Sequence, residues 1–345
     1  MRLSANNARM IILVRTVGWL ALIGLSVTTP LGLAHHSEAA YNTKSVLALR
    51  GTVEKVGWRN PHVYIHIAAE GNDGTTETWE IEGGSTPILE RSGWTSTSVK
   101  PGEVVTMRVH PARKADSTNG ILMSIQKEDG TLLVQAPKET TAVAASSLAG
   151  VWRAEQASVV PLMMRWYGLP LTEKANLAKE AYDVTRDYPG IQCVAPPTPR
   201  ILVATILYLS EVELNDDRII IKNEFFDAER TIWMDGREHP ENGERTNQGH
   251  SIGHWEGDEL VVDTRLFADN RTGNGEGVPS GAQRHTIERF KLSEDKTKLL
   301  IDVFLEDPEY LIEPLSASLE WQYAPQLQLA RYNCDPEISR HYTIQ

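Results

Sequence analysis

The sequence predicts a mainly β chain: an OB-like five-stranded barrel, then a second antiparallel β-barrel or sandwich, lipocalin-like in its opening, with one short helix. Three observations predict it. Short β-branched and aromatic runs recur between turn residues from residue 44 to residue 323. Only 172–183 carries a convincing helical period in the second half. A length of 345 residues, 41% hydrophobic and 23% charged, suffices for two domains that each bury a core.

Residues 1–34 read as a secretory signal peptide. Arg2, Arg9 and Arg15 precede an apolar run at 16–27, then Pro30 and the small residues Gly32 and Ala34. A membrane anchor is the competing reading, but the run is about twelve residues where a span needs roughly twenty. Gly32 and Ala34 place cleavage before His35, so the mature protein is expected to be periplasmic or secreted, with no stable membrane anchor. The chain has 34 Lys and Arg against 46 Asp and Glu, net −12; losing three arginines leaves 31 against 46, or −15. With no basic run, nucleic acid and anionic membrane are excluded as main partners.

The first domain, 35–135, carries strand runs at 46–56, 62–68, 76–82, 103–110 and 120–127. They are separated by Asn60-Pro61, Gly71-Asn72-Asp73-Gly74, Pro101-Gly102 and Asn119-Gly120. A helix candidate at 86–92, closed by Gly93, falls between the third and fourth strands, which is the OB order. Such barrels bind oligonucleotides or sugars, but this one lacks the basic groove and has only scattered aromatics. Residues 136–147, small, polar and aperiodic, are the linker.

The second domain, 148–345, opens with Gly150-Val151-Trp152 and has its helix at 172–183, with Thr172 as N-cap. Strands are expected at 201–208, 218–224, 229–234, 250–255, 259–264, 283–291, 298–305 and 316–323. The Gly/Asn-rich stretch 270–281 reads as a long mobile loop. Two cysteines in an exported chain imply one disulfide, Cys193–Cys334, worth about 5 kcal/mol in the chain-entropy model. A free catalytic thiol is the alternative, though no His-containing signature surrounds either cysteine.

The segment His35-His36-Ser37, Gly51-Thr52-Val53, Asn60-Pro61-His62, Trp79-Glu80-Ile81-Glu82-Gly83-Gly84, Gly93-Trp94-Thr95 and Pro101-Gly102-Glu103 resembles a family of exported bacterial proteins classed as a domain of unknown function. The second half, with Gly253-His254-Trp255-Glu256-Gly257-Asp258-Glu259-Leu260-Val261-Val262-Asp263-Thr264 and Glu288-Arg289-Phe290, resembles another set of uncharacterised exported proteins. Together the resemblances cover most of the mature chain. They imply a location and no activity.

A chain beginning at His35 offers its α-amine and its own imidazole as two ligands, and a third imidazole completes a T-shaped copper site. His62 is the candidate third ligand, and His36 is adjacent. His66 is four residues on, roughly 13 Å along a strand, too far to share the ion. Zinc is the weaker variant, because no carboxylate or thiolate is evident beside these histidines. The competing reading is a terminal pair of histidines with no role.

In the second domain Gly257-Asp258 reads as a two-residue hairpin turn, pairing Glu256 with Glu259, His254 with Val261, Ile252 with Asp263 and His250 with Arg265. His250, His254, Asp263 and Arg265 then share a face, opposite Trp255, Leu260 and Val262. Pointed into a barrel, that face is an acid/base set with His254, Asp263 and His250 as its members. Pointed outward, which the apolar opposite face favours, it is a solvated wall. Asp235-Gly236-Arg237-Glu238-His239-Pro240 reads as a tight turn. Alternation puts His285 with Ile287 and Arg289, and Glu288 with Thr286 and Phe290, so a His285–Glu288 dyad is not expected. Gly249-His250-Ser251-Ile252-Gly253 has nucleophile-elbow spacing but falls in a hairpin. No Walker, dinucleotide, EF-hand or CxxC motif occurs.

Three function classes follow. The first is an exported binding protein that holds copper through His35 and His62, with a small, partly apolar ligand in the second domain. The second is an enzyme doing hydrolytic or proton-transfer chemistry on a small molecule in the second barrel. The third is an envelope-assembly protein in which these histidines are incidental.

Overall fold

Alternation in the first third forms β1 (Leu47–Gly57), β2 (Tyr64–Glu70), β3 (Thr76–Glu82), α1 (Thr86–Arg91), β4 (Val104–Pro111), β5 (Asn119–Lys127) and β6 (Leu132–Val134). The computed structural model describes residues 40–71, 74–135 and 141–343. The expected signal segment, His35, His36 and residues 136–140 of the expected linker lie outside the described residues. β3, β2, β1, β4 and β5 are neighbours in that order, and a parallel β3–β5 pairing closes them into a five-stranded barrel with β6 on its edge. This is the OB order 1-2-3-5-4.

The barrel's inward residues are apolar throughout, among them Val53, Ile65, Ile67, Ile81, Met107 and Ile125, each at most 1% exposed. Gly51 is required where β1 meets β2, because a Cβ there would lie 2.3 Å from the carbonyl oxygen of Ala68. Pro87 starts α1, Gly93 at φ +86° ends it, and Leu89 at 0% exposure plugs the barrel.

The second part runs β7 (Gly150–Ala154), α2 (Gln156–Tyr167), α3 (Glu173–Glu180), α4 (Val184–Asp187), α5 (Arg200–Val203), β8 (Ser210–Leu214), β9 (Arg218–Asn223) and β10 (Ala228–Trp233). It continues with β11 (His250–Glu256), β12 (Glu259–Arg265), β13 (Asn270–Gly275), β14 (Val278–Ser280), β15 (His285–Leu292), β16 (Lys298–Glu306), β17 (Leu315–Tyr323) and α6 (Pro336–Thr343). Nine of these strands close a barrel in the order β10-β11-β12-β15-β16-β17-β7-β8-β9. All pairs are antiparallel except β10–β11, so residues 234–249 must cross from one end of the barrel to the other.

Three expectations need correction. Residues 201–208 form no strand: α5 and a 3-10 turn, Ala204–Ile206, occupy them, with Ile201 and Leu202 buried against the barrel. A short apolar run reads alike as buried helix or strand. The stretch 270–281 is no open loop but the hairpin β13–β14, in which Asn270, Thr272, Asn274 and Ser280 are at most 5% exposed. Asn274 Nδ2 donates to Asp307 Oδ2 (2.7 Å) and to the Pro279 carbonyl (2.8 Å), so its asparagines satisfy the hairpin from within. Helix content also exceeds one: α2 packs Val159, Leu162 and Trp166 onto the barrel despite its internal Pro161. The expected helix is α3, and Thr172 does cap it, accepting from Ala175 N at 3.2 Å.

The two barrels meet through polar contacts. Arg91 donates to both carboxylate oxygens of the buried Glu224 (2.6 and 2.7 Å) and to the Leu207 carbonyl. Asn60, 1% exposed, donates to the Tyr332 carbonyl and to Thr86 Oγ1. The Tyr332 segment is tied back by the Cys193–Cys334 disulfide, with Cα atoms 5.8 Å apart.

Candidate functional site

In the first barrel His62 sits after the cis Asn60-Pro61 bond, just before β2. Its Nδ1 lies 3.1 Å from the Gly83 carbonyl and 3.1 Å from Glu82 Oε1. Both are acceptors, so the neutral ring carries its proton on Nδ1 and presents the Nε2 lone pair. The other Glu82 oxygen accepts from the Tyr41 hydroxyl at 3.3 Å. Burial, then the charge of Glu82, raises the Tyr41 phenol above its ordinary value, keeping it a donor. Carboxylates therefore stand beside these histidines, contrary to the sequence reading: Glu82 at His62, and Glu80 3.5 Å from His66 Nε2.

In the second barrel the β11–β12 register is the expected one, including His250 with Arg265, Ile252 with Asp263 and His254 with Val261. Leu260, Val262 and Thr264 fill the interior, so Asp263 and Arg265 face outward. The outer wall is nonetheless covered. After β10 the chain turns at Gly236 (φ +79°), Arg237 stacks over Trp233 with Cζ 3.7 Å from the ring centre, and His239 returns to the wall. His239 Nε2 lies 3.0 Å from Asp263 Oδ1, and its Nδ1 lies 2.9 Å from His250 Nδ1. Asp263 Oδ2 is 2.9 Å from His285 Nε2, and His285 Nδ1 is 3.0 Å from Glu306 Oε1. Five titratable side chains thus form one line, His250–His239–Asp263–His285–Glu306.

The surroundings of three of them, His250, Asp263 and His285, shift their titrations. The Asp263 hydrogen bond raises His285 above the ordinary histidine range against its burial, with Glu306 adding to the rise. Burial pushes Asp263 up, but His285, His239 and Arg265 outweigh it and hold the carboxyl below its usual value. Burial first, then His239 and Arg237, lowers His250.

Two of the three sequence candidates, His250 and Asp263, are brought together. His254 is not: its side chain is 63% exposed and pairs with Glu256 at 3.1 Å. Four strand residues separate it from His250, roughly 13 Å. His239, His285 and Glu306 were missed as site residues. His239 was hidden in a segment read as a turn, and Glu306 stands opposite His285 across a strand pair whose register no turn signal marks.

Inside the barrel Arg230 Nη1 donates to Glu288 Oε2 at 2.5 Å, with side chains 5% and 0% exposed. Arg230 Nη2, Glu288 Oε1 and Thr286 Oγ1 have no partner there. The interior is otherwise packed with apolar side chains such as Trp152, Phe290 and Trp321. A crevice of about 10 Å³, room for one water, is lined by Thr198, Ile201, Leu202, Ile221, Asn223 and Arg230. Among the described residues no group of three or more His, Cys, Asp or Glu is arranged to hold a metal, and no helix is long and apolar enough to cross a membrane.

Residues 23–122 match the model of a family of unknown function, DUF6152. The match covers the first barrel up to β5 and names no activity. No curated protein matches the chain. Among solved structures, one described as "Molecular basis for abrogation of activation of pro-inflammatory cytokines" is 14% identical over 70% of this chain and 92% of that one, with a TM-score of 0.14. A crystal structure of the Ifi202 HINa domain in complex with 20 bp dsDNA is 11% identical over 72% of this chain and 97% of that one, with a TM-score of 0.13. At such TM-scores neither carries an argument.

Proposed function

We propose that this is an exported binding protein whose first barrel holds copper between the mature N-terminal His35 and His62. The observation that carries the reading is the double hold on His62 Nδ1 by the Gly83 carbonyl and Glu82. Ligand histidines characteristically donate their other ring nitrogen to a carbonyl or carboxylate, which fixes ring and tautomer. Chain reach agrees. Tyr41 shares the Glu82 carboxylate with His62, and the six residues back to His35 span up to about 20 Å. For the small, partly apolar ligand proposed for the second barrel, the crevice at Ile201, Leu202, Ile221, Asn223 and Arg230 has a suitable mixed lining but holds only about 10 Å³, so binding there requires these side chains to part.

Copper titration followed by electron paramagnetic resonance tests the reading on protein with a verified His35 terminus, beside a chain carrying His35→Ala with His36→Ala, which removes both terminal imidazoles. Tight type-2 binding weakened by that replacement is expected. Equal binding in both chains overturns the N-terminal site.

A second reading, acid/base chemistry, is favoured by the line His250–His239–Asp263 with its separated titrations. It belongs on the outer wall, not in the packed interior. It predicts that His250→Ala stops turnover of the enzyme's small-molecule substrate while the near-ultraviolet dichroism is unchanged.

A further inference from the structure

We propose that residues 235–244 of the crossover loop are a lid on the outer wall of the nine-stranded barrel, tied down through the His239–His250 pair and released when both rings carry a proton. The lid needs neither functional reading above. Three observations lead there. Among residues 235–244 only His239, its side chain 15% exposed, and Gly243, which lies against Leu266, are withdrawn from solvent; the rest are exposed. Both ends of the segment are fixed without the histidines. At the start Met234 N donates to the Asp217 carbonyl (2.9 Å), and at the end Thr246 N donates to the Leu266 carbonyl (3.1 Å) while its own carbonyl accepts from Ala268 N (2.7 Å). Between those ends His239 is the side chain that reaches the wall, at Asp263 Oδ1 (3.0 Å) and His250 Nδ1 (2.9 Å), and the chain turns toward it at Gly236 (φ +79°).

The tie accommodates one added proton and no more. His239 donates from Nε2 to Asp263, so its neutral ring accepts at Nδ1 from the Nδ1–H of His250. One further proton, on either ring, still leaves a single N–H between the two Nδ1 atoms, an imidazolium donating to a neutral imidazole. A second proton puts an N–H on each, and two cationic donors facing one another at 2.9 Å repel. The charged groups around the pair are Asp263 and Arg265 from β12, His285 from β15 with Glu306 of β16 behind it, Arg237 and Asp235 from the loop itself, and Asp217, which faces Arg237 from the turn before β9. Burial, His239 and Arg237 all oppose charge on His250, so the pair holds at neutral pH and yields below the ordinary histidine value near 6.5. Asp263 keeps its bond to His285 when His239 leaves, so the open lid bares a carboxylate that stays in place on the wall, with His250 beside it.

The test is cleavage of the full chain by a glutamate-specific protease, which cuts the lid at Glu238, Glu241 or Glu244. Mass spectrometry reads the sites, and the rate at each pH is divided by that for a free peptide of residues 235–244. Cleavage of a transiently opened segment tracks its open population, so the normalised rate should rise by about tenfold or more on going from about pH 7.5 to about pH 5. His239→Ala should be cut fast at both pH values. His250→Gln offers His239 a donor or an acceptor but never a charge, so its lid should stay closed at both. Ring-nitrogen magnetic resonance of the native chain over the same range reads the charge on each histidine, and both rings should become cationic as cleavage rises. A normalised rate that does not change with pH, a rise while either ring is still neutral, or an equal rise in His250→Gln overturns the proposal. Near-ultraviolet dichroism accompanies each variant at each pH; if a substitution perturbs the fold, cleavage and ring protonation in the native chain decide.

Discussion

The two barrels orient a histidine by the same device with opposite polarity. In the first, Glu82 and the Gly83 carbonyl hold His62 by Nδ1 and leave Nε2; in the second, Asp263 holds His239 by Nε2 and turns Nδ1 to His250. Their interiors differ more. The first barrel is apolar inside, whereas the second encloses the Arg230–Glu288 pair. A polar side chain on a closed sheet is therefore no guide to which wall it lines: Glu288 faces in and His285 faces out, three residues apart on one strand. Parity along the strand decides it.

The largest effect that would sharpen this contrast is on stability. Glu288→Ala leaves Arg230 as an uncompensated buried charge and should cost about 3–5 kcal/mol in denaturant unfolding, while the joint replacement Arg230→Met with Glu288→Leu should be neutral or stabilising by about 1–4 kcal/mol. If both single and joint replacements cost the same, the pair is not paying for its own desolvation in this way. In the first barrel Leu89→Ala removes an apolar plug at 0% exposure, at a cost of about 2–5 kcal/mol. No isosteric partner change should rescue that loss.

Much of this was legible in the residues. The OB strand order followed from five alternating runs and the position of α1, and the β11–β12 register followed from Gly257-Asp258, since a two-residue turn leaves no freedom of pairing. The β15–β16 register could not be read so, because the connecting residues 293–297 contain no such turn, and with it went the His285–Glu306 contact. His239 was illegible for another reason: its partner lies 24 residues away, and only the parallel β10–β11 pairing brings the crossover loop over β12. The helices at 156–167 and 200–203 were missed because tertiary packing overrode an ambiguous local pattern.

Next in size is metal affinity, where only one of the two supports should matter. Glu82→Gln should weaken copper at the His35–His62 site by roughly 10–100-fold, while Asp263→Asn, on the other barrel, should leave that binding unchanged. Titration of both variants against a competing chelator, beside the His35→Ala with His36→Ala chain, checks this. Loss of copper affinity from Asp263→Asn as well would mean that the barrels are coupled through their junction at Arg91–Glu224, and Arg91→Ala would then reproduce it.

The smallest effect is in pH dependence, and its sign distinguishes neighbours on one line. His285 is raised in the folded state, so its contribution is fully present below the unfolded value near 6.5 and is lost as pH rises through the folded one. His250 is lowered, so the unfolded chain binds the extra proton, and folding is penalised as pH falls below about 6.5. The stability difference between the native chain and His285→Gln should therefore shrink from pH 6 to pH 8, while that for His250→Gln should grow over the same interval. Slopes of one sign for both would show that His250 and His285 sit in the same electrostatic setting, and that the line between them is not polarised by Asp263.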